Sequence, residues 1–355
     1  MRILYLVDDV EAQTGVTQKV QQNAKQWVDF GHEVFFISLK KLRVFDQKMN
    51  LVFEKKTYNF GAGRLKTAMA LLNSSFWLSQ LVKQVNPDLI YTRYLMYTPF
   101  INKTMKNYKV VMEINGDDLI EYKLKSRMTE LYNRWTRGFL LKYVDGFICV
   151  SNELERKFSY LGKSSVVIAN GIDVEQFELK KIENKKPILA FILSSNQSWH
   201  GLDKVIKMAE FYPDFCFHII GVSGVDRQNL KYFGQLSQDK STEIIQQCDV
   251  GIGTLSLYKK GLEEASPLKT RQYLACGLPV IFAYDDTDIN DDYPFCLRLE
   301  NIEDNVNYVS IKEFVLKVFN RENVRVLARE CAENILSYRK KETQRLAFFE
   351  SVINE

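Results

Sequence analysis

The sequence predicts an α/β protein made of two successive halves, each an open, mostly parallel sheet with helices on its faces. Three observations predict this. Short apolar runs alternate with longer helical patterns along the chain, the signature of βαβ units. At roughly 100–200 residues per domain, 355 residues correspond to about two domains. The alternation also restarts after a charged, unpatterned stretch at 178–187, which reads as a linker.

Residues 3–7 form the first strand. A turn containing Gly15 leads into a helix over about 17–30, which Gly31-His32 closes, and 33–39 is the next strand; this fills one βαβ unit. A helix over 65–85, a strand after Pro87 at 88–92, a strand at 109–113, a helix over 130–143 and a strand at 146–151 follow. A short helix over 153–161 stops at Gly162, and a strand at 166–169 runs into the turn signal Asn170-Gly171. The second series has strands at 188–193, 216–221, 250–254 and 280–283, with helices over 201–211, 240–247 and 270–276. It ends in helical patterns over about 311–319 and 322–353.

The composition excludes several classes. Hydrophobic residues at 46% and charged residues at 26% argue against disorder and against a fibrous chain. A net charge of +4 suits an anionic ligand or an anionic membrane surface, while a nucleic-acid binder would show denser basic clustering. The six cysteines contain no Cys-x-x-Cys pair and mostly sit in apolar runs, so they read as buried free thiols of a reducing compartment. Three separated histidines make a His-rich metal site improbable. No apolar run reaches the roughly 18 residues that span a bilayer, and Met1 to Asp9 turns acidic too early for a signal peptide. The expected location is cytoplasmic. The fingerprint Gly-x-Gly-x-x-Gly is absent, which argues against a nicotinamide enzyme.

The most informative stretch is Glu264-Ala265-Ser266-Pro267-Leu268-Lys269-Thr270-Arg271-Gln272-Tyr273-Leu274-Ala275-Cys276-Gly277-Leu278-Pro279-Val280-Ile281. It reads as a loop, a helix starting near Pro267 to Lys269, a glycine stop and a strand. A helix N-terminus offers unpaired N–H groups and partial positive charge, a ready diphosphate site. Lys269 in the first turn opposes the helix dipole and so suits an anion; an ordinary αβ unit with a surface lysine is the plain alternative.

This stretch resembles the donor-binding signature of glycosyltransferase family 4, whose members have the GT-B fold of two Rossmann-like domains facing across a cleft. That signature has two glutamates with seven residues between them. Here Glu264 is followed after seven residues by Gln272, which can bond hydroxyls without charge. The resemblance places Glu264 near the transferred sugar and Gln272 near the donor ribose. Gly146 to Leu154, Asn170-Gly171-Ile172-Asp173 with Phe177, and Asp249 to Ile252 resemble further family segments in the same order. In the loop 194–201 the family usually has a lysine before the glycine, on the donor phosphate; here His200 stands before Gly201. A histidine can donate to phosphate there, and packing at a helix start is the alternative. The first strand-to-helix loop, with Asp8-Asp9 and Thr14-Gly15-Val16, and the segment Glu113-Ile114-Asn115-Gly116-Asp117-Asp118 resemble cleft-facing loops.

The resemblance implies a domain of residues 1–172 with 340–355 that binds the acceptor, and a domain of residues 173–339 that binds the donor. The reaction implied is retaining transfer of a hexose-type sugar from a nucleoside diphosphate sugar, UDP favoured, to a hydroxyl of a glycan or lipid-linked glycan. No separate cofactor, no metal and no nucleic acid are expected. Glu264, Lys269 and His200 are the catalytic candidates. Gly15, Ser195, Trp199, Ser266, Pro267, Leu268 and Gln272 are the donor contacts. Asp9, Asn115 and Asp117 lie on the acceptor side. Asp286-Thr287-Asp288 has the metal-binding Asp-x-Asp pattern, but about one such match is expected by chance in this length.

The segment 121–143 interleaves Lys123, Lys125, Arg127, Arg134, Arg137 and Lys142 with Leu124, Met128, Leu131, Tyr132, Trp135, Phe139 and Leu140. The reading preferred for its apolar side is a helix packed into the core, with a solvated basic face. Peripheral contact with an anionic membrane, at the inner face of the plasma membrane, stays open beside it. Two other functions also stay open: a catalytically silent GT-B partner subunit, suggested by Gln272 and His200, and a sugar-nucleotide epimerase, which the stretch 264–281 fits less well.

Overall fold

The structure is a computed structural model, and it describes residues 1–12, 15–56, 63–193, 195–290 and 292–355. The chain forms two compact units, Met1–Ile168 with Glu342–Glu355, and Ala169–Lys341.

The first unit contains β1 (Arg2–Val7), α1 (Gly15–Asp29), β2 (Glu33–Ser38), β3 (Arg43–Asp46), β4 (Leu51–Glu54), α2 (Gly63–Val85), β5 (Leu89–Arg93), α3 (Ile101–Met105), β6 (Lys109–Ile114), α4 (Asp118–Lys125), α5 (Arg127–Leu141), β7 (Gly146–Cys149), α6 (Asn152–Phe158) and β8 (Ser164–Val167). Its sheet order is β4-β3-β2-β1-β5-β6-β7-β8. The strands from β2 through β8 in that order pair in parallel, and β3 and β4 add antiparallel. Ile3 to Leu6 are completely buried because helices cover both faces, which is why β1 reads as an unbroken apolar run. The core holds an aromatic cluster, with Tyr5 4.8 Å from Tyr91 and 5.6 Å from Trp27, and Trp27 5.5 Å from Phe349. Such pairs contribute about 0.5–1.5 kcal/mol each beyond their burial.

The second unit contains β9 (Ile188–Ile192), α7 (Leu202–Phe211), β10 (Cys216–Ile220), β11 (Leu230–Tyr232), α8 (Gln238–Ile245), β12 (Val250–Ile252), β13 (Glu264–Ala265), α9 (Leu268–Ala275), β14 (Val280–Phe282), β15 (Asp285–Asp286), β16 (Cys296–Arg298), α10 (Tyr308–Val318) and α11 (Glu322–Asn334). Its main sheet is parallel, in the order β11-β10-β9-β12-β14-β16, and β13 pairs with β15 beside it. A last helix, α12 (Tyr338–Asn354), begins in the second unit and continues into the first. Its Phe349 and Val352 pack in the core of the first unit.

The structure departs from the sequence reading at identifiable places. The helical pattern over 322–353 is two helices: Ile172 N–H donates to Leu336 O and Tyr338 N–H to Ile172 O, and this exchange interrupts the helix at 335–337. The sequence reading contains no strand at β3, β4, β11, β13, β15 or β16, which are two to four residues long and lie outside its apolar runs. The six cysteines are free; five are buried and Cys216 is half-buried. Among the described residues no helix is long and apolar enough to cross a membrane.

The apolar side of 121–143 is also corrected. Ser126 ends α4 and caps α5, its Oγ accepting from Thr129 N–H. The buried side of α5 is Asn133, Thr136, Leu140 and Leu141, and Asn133 and Arg137 bond the buried carboxylate of Asp118. This polar attachment takes the inward face. Leu124, Met128, Leu131, Trp135 and Phe139 are therefore left pointing outward, with Trp135 77% exposed.

Candidate functional site

In an open parallel sheet, ligands bind beyond the carboxyl ends of the strands, where the strand order reverses. In the second unit that point lies between β9 and β12. The loop after β9 carries Ser195, exposed, and then one turn of 3-10 helix, Ser198–His200, with Trp199 and His200 half-buried. Leu255 N–H donates to His200 O and Ser256 N–H to Trp199 O, so the loops after β9 and β12 are tied by backbone. Gly201 has φ +82°, and a Cβ there would lie 2.8 Å from Leu255 Cβ, so only glycine suits this tie. Lys204 Nζ donates to Leu255 O, Ile302 O and Asn305 Oδ1, which holds the second loop from beneath.

Helix α9 presents its N-terminus to the same place. Pro267 is its N-cap and gives no side-chain cap. The N–H groups of Thr270 and Arg271 return to Pro267 O, leaving those of Leu268 and Lys269 without a partner among the described residues. Ser266 is buried; its carbonyl accepts from Asn170 Nδ2 at 2.7 Å and its hydroxyl from Asn170 N–H. Gln272 lies one turn on, half-buried, its Nε2 3.3 Å from Thr242 Oγ1. Glu264 is half-buried in β13, which pairs with β15. Arg271, fully buried, bonds Asp286 at both carboxylate oxygens, reaches Asp288 Oδ2 at 3.3 Å and donates to Asn170 O. Lys341 holds the other oxygen of Asp288 at 2.5 Å. The Asp-x-Asp is thus an anchor for the loop before α9, its carboxylates filled by cations. Among the described residues no group of acidic, histidine or cysteine side chains is arranged to hold a metal ion.

Lys269 and His200 meet: Lys269 Nζ is 3.3 Å from His200 Nδ1 and 4.6 Å from the Phe191 ring centre. Burial, with Lys269 and Lys260 adding to it, pushes the imidazole down to about 3, so it is neutral, and when Lys269 is an ammonium Nδ1 accepts from it. Nε2 then carries the ring proton and can donate to an anion without the ring being charged. Burial alone pushes Lys269 down to about 7. An anion arriving at α9 would meet backbone N–H groups and an ammonium that is only part-protonated at neutral pH.

The first unit has its own reversal between β1 and β5, and there lies a cavity of ≈ 330 Å³. It is lined by Asp8 and Asp9 after β1, Arg93 and Tyr94 after β5, Glu113 and Asn115 after β6, and Lys125 of α4. Asp9 accepts from Glu11 N–H and pairs with Lys41 at 3.1 Å. Glu113 has no solvent exposure; it accepts from Lys19 Nζ at 2.6 Å, from Arg345 at 3.4 Å and from Asn115 Nδ2 at 3.0 Å. Burial opposes its charge, but Lys19, Arg345 and Arg93 hold it well below the usual carboxylate range. Gly15 opens α1, and a Cβ built there meets nothing within 4 Å among the described residues.

Among the sequence candidates, the structure brings Lys269, His200, Trp199, Ser266, Pro267 and Leu268 around one reversal point, and Asp9 and Asn115 around the other. Asp117 is not in the cavity lining: it is the N-cap of α4, accepting from Leu119 and Ile120 N–H, and it pairs with Lys157 at 3.1 Å. Thr14 and Ser194, quoted with their loops, lie outside the described residues. Arg93 has no place in the sequence reading, and Glu113 and Lys125 enter it only within longer segments. The available signal for the first two was a charged residue closing a predicted parallel strand.

The model of Glycosyltransferase Family 4 matches residues 14–176. Among curated proteins none matches. Solved structures are similar over nearly the full length. Sucrose-phosphate synthase of Thermosynechococcus elongatus has a TM-score of 0.77 at 13% identity, covering 99% of each chain. A glycosyltransferase of Rickettsia africae has 0.70 at 14%, covering 99% of this chain and 98% of that one. Anabaena HepE in complex with UDP-glucose has 0.63 at 12%, covering 99% and 100%. The fold is that of these GT-B glycosyltransferases, with two Rossmann-like domains.

Burial leaves Lys269 titrating near neutral pH at the start of α9, so an anion bound there would meet a titrating ammonium. Its ammonium is the form that binds an anion, so binding raises its pKa, and affinity must fall as pH rises through about 7. The ε-methylene carbon NMR signal of Lys269, assigned with Lys269→Arg, is expected to titrate near pH 7 and to move upward with inorganic pyrophosphate. A midpoint near the ordinary lysine value, unmoved by pyrophosphate, would contradict the assignment.

Proposed function

We propose that the chain is a retaining, metal-independent glycosyltransferase. It moves a hexose-type sugar from a nucleoside diphosphate sugar, UDP favoured, to a hydroxyl of a glycan or lipid-linked glycan. The observation that carries this is the uncapped N-terminus of α9 with Lys269 held by His200 at the β9/β12 reversal. HepE, which shares the fold, binds UDP-glucose. The second unit holds the donor and the cavity of the first holds the acceptor. No cofactor beyond the sugar nucleotide is used, and the occupation of Asp286 and Asp288 by Arg271 and Lys341 supports independence from metal.

In the reaction the bond from the anomeric carbon to the diphosphate oxygen breaks, and the acceptor hydroxyl oxygen attacks from the same face. The hydroxyl proton passes to the departing diphosphate. The N–H groups of Leu268 and Lys269, the Lys269 ammonium and His200 Nε2–H stabilise the leaving charge. Glu264 orients the sugar and stabilises positive charge developing at its anomeric carbon. Gln272 bonds the ribose hydroxyls, while Ser195 and Trp199 close the donor loop.

The outward stripe of α4 and α5 supports membrane contact. Leu124, Met128, Leu131, Trp135 and Phe139 are exposed on one side, with Lys123, Lys125, Arg127 and Arg134 exposed around them. Glu130, the acid on α5, is already paired with Arg134. Exposed apolar residues framed by cations complement an anionic lipid surface. The cytoplasmic side of a membrane is the corresponding location.

In a thermal-shift panel of UDP, GDP, ADP and CMP, one nucleoside diphosphate should stabilise the protein by about 2.7 kcal/mol at 100 times its Kd, with or without EDTA. Glu264→Ala should keep that shift and lose transfer by about 10²–10³-fold. Flat curves for all nucleotides, or full activity of Glu264→Ala in a complex, would favour a silent partner subunit. Vesicles rich in phosphatidylglycerol should sediment the protein and phosphatidylcholine vesicles should not. Trp135→Ser with Phe139→Ser should weaken that binding by about tenfold or more, since each buried large apolar side chain is worth about 1.5–3 kcal/mol. Equal sedimentation by both lipids, or no effect of the double change, would count against membrane contact.

A further inference from the structure

The charges around the cavity of the first unit do not cancel pair by pair. Glu113 is taken by Lys19 and Arg345, and Asp118 by Arg137 at 2.7 Å. Asp9 pairs with Lys41 at 3.1 Å and Asp8 with Lys40 at 3.6 Å. Glu121 folds against Gly116, where an added Cβ would collide with its carboxylate. Two lining cations remain. Lys125 lies over the Tyr122 ring at 4.7 Å, with no carboxylate at ion-pair distance among the described residues. Arg93 has Glu113 Oε2 at 4.0 Å as its nearest carboxylate oxygen, and that carboxylate is already engaged three times over. No hydrogen bond is made by its guanidinium among the described residues.

Arg93 closes β5, so the reversal between β1 and β5 presents it to the cavity, at the position where an open sheet binds its ligand. A half-buried guanidinium on a strand residue, without a hydrogen-bond acceptor among the described residues, is matched by a planar or tetrahedral oxyanion that takes two N–H groups at once. The cavity volume is near the lower end of small-ligand pockets, roughly 300–1,000 Å³, which suits one sugar-sized group. We propose that this cavity takes an acceptor carrying an oxyanion, and that Arg93 is the residue that recognises it. This rests on the transferase reading above. Two sources share that chemistry: a phosphate linking the acceptor to a lipid, or a carboxylate of an acidic sugar. Lys125, the second lining cation, is next in sequence to Leu124, the first residue of the exposed apolar stripe.

The test uses the full chain saturated with UDP, so that the second unit's anion site is filled. Glucose 1-phosphate, glucuronate and methyl glucoside are titrated by calorimetry into wild type, Arg93→Gln and Arg93→Lys. An anionic sugar should bind at least about tenfold more tightly than methyl glucoside. Arg93→Gln should erase that difference and Arg93→Lys should restore part of it. Preference for glucose 1-phosphate identifies a phosphate source, and preference for glucuronate an acidic sugar. Binding of methyl glucoside as tight as that of both anions, failure of both anions to bind, or an unchanged preference in Arg93→Gln would overturn the proposal. An unaltered UDP thermal shift in Arg93→Gln shows that the variant is folded. Absence of that shift in wild type is a failure of the transferase reading instead, seen before any acceptor is added.

Discussion

A carboxylate with no solvent exposure stands at the end of β6, and much of the first unit is arranged around keeping it charged. Glu113 draws Lys19 from α1 and Arg345 from α12 into the interior. Arg345 in turn bonds Tyr91 Oη and Glu342, and Glu342 accepts from Trp27 Nε1 at 2.7 Å. Removing one partner of a buried ionic group typically costs about 3–5 kcal/mol, because the others are left uncompensated. The knot therefore fixes three elements distant in sequence: the first helix, the central strand and the last helix. It also occupies Glu113 with hydrogen bonds, which leaves Arg93 only a long contact of 4.0 Å to that carboxylate.

The second unit uses a different device for the same end. Its carboxylates serve to anchor a loop, since Arg271 and Lys341 fill Asp286 and Asp288 and hold the segment before α9 in place. Gly251 lets α9 lie close on the sheet, because a Cβ there would meet the Tyr273 ring at 2.3 Å, and Tyr273 Oη accepts from Ile192 N–H. The helix is thus locked at its sides and open at its N-terminus. Fixed N–H groups cost no reorganisation when charge develops on a leaving group.

How much of this was legible in the sequence differs by element. The buried parallel strands were readable because burial on both faces writes an unbroken apolar run, as in Ile3 to Val7 and Val280 to Phe282. The α9 segment was readable because a helix start, a glycine stop and a strand occur in one short stretch. The cavity of the first unit was not. Arg93 and Lys125 gain their meaning only from which carboxylates are already occupied, a fact of three-dimensional pairing. Asp117 follows a strand, as an acceptor-side residue would, yet the backbone N–H groups of α4 claim it as a cap. The orientation of α5 was hidden for a related reason. Its pattern is amphipathic either way round, and the Asn133 and Arg137 bonds to Asp118 decide which face turns inward.

In the proposed function, the reversal between β9 and β12, with the start of α9, receives the diphosphate of a sugar nucleotide. Amide hydrogen exchange with and without UDP-glucose tests it residue by residue. Slowed exchange is expected in 195–201, 254–256 and 266–272, and little change in β10, β11 and α10. Protection confined to other segments, or none at saturating nucleotide, would contradict it.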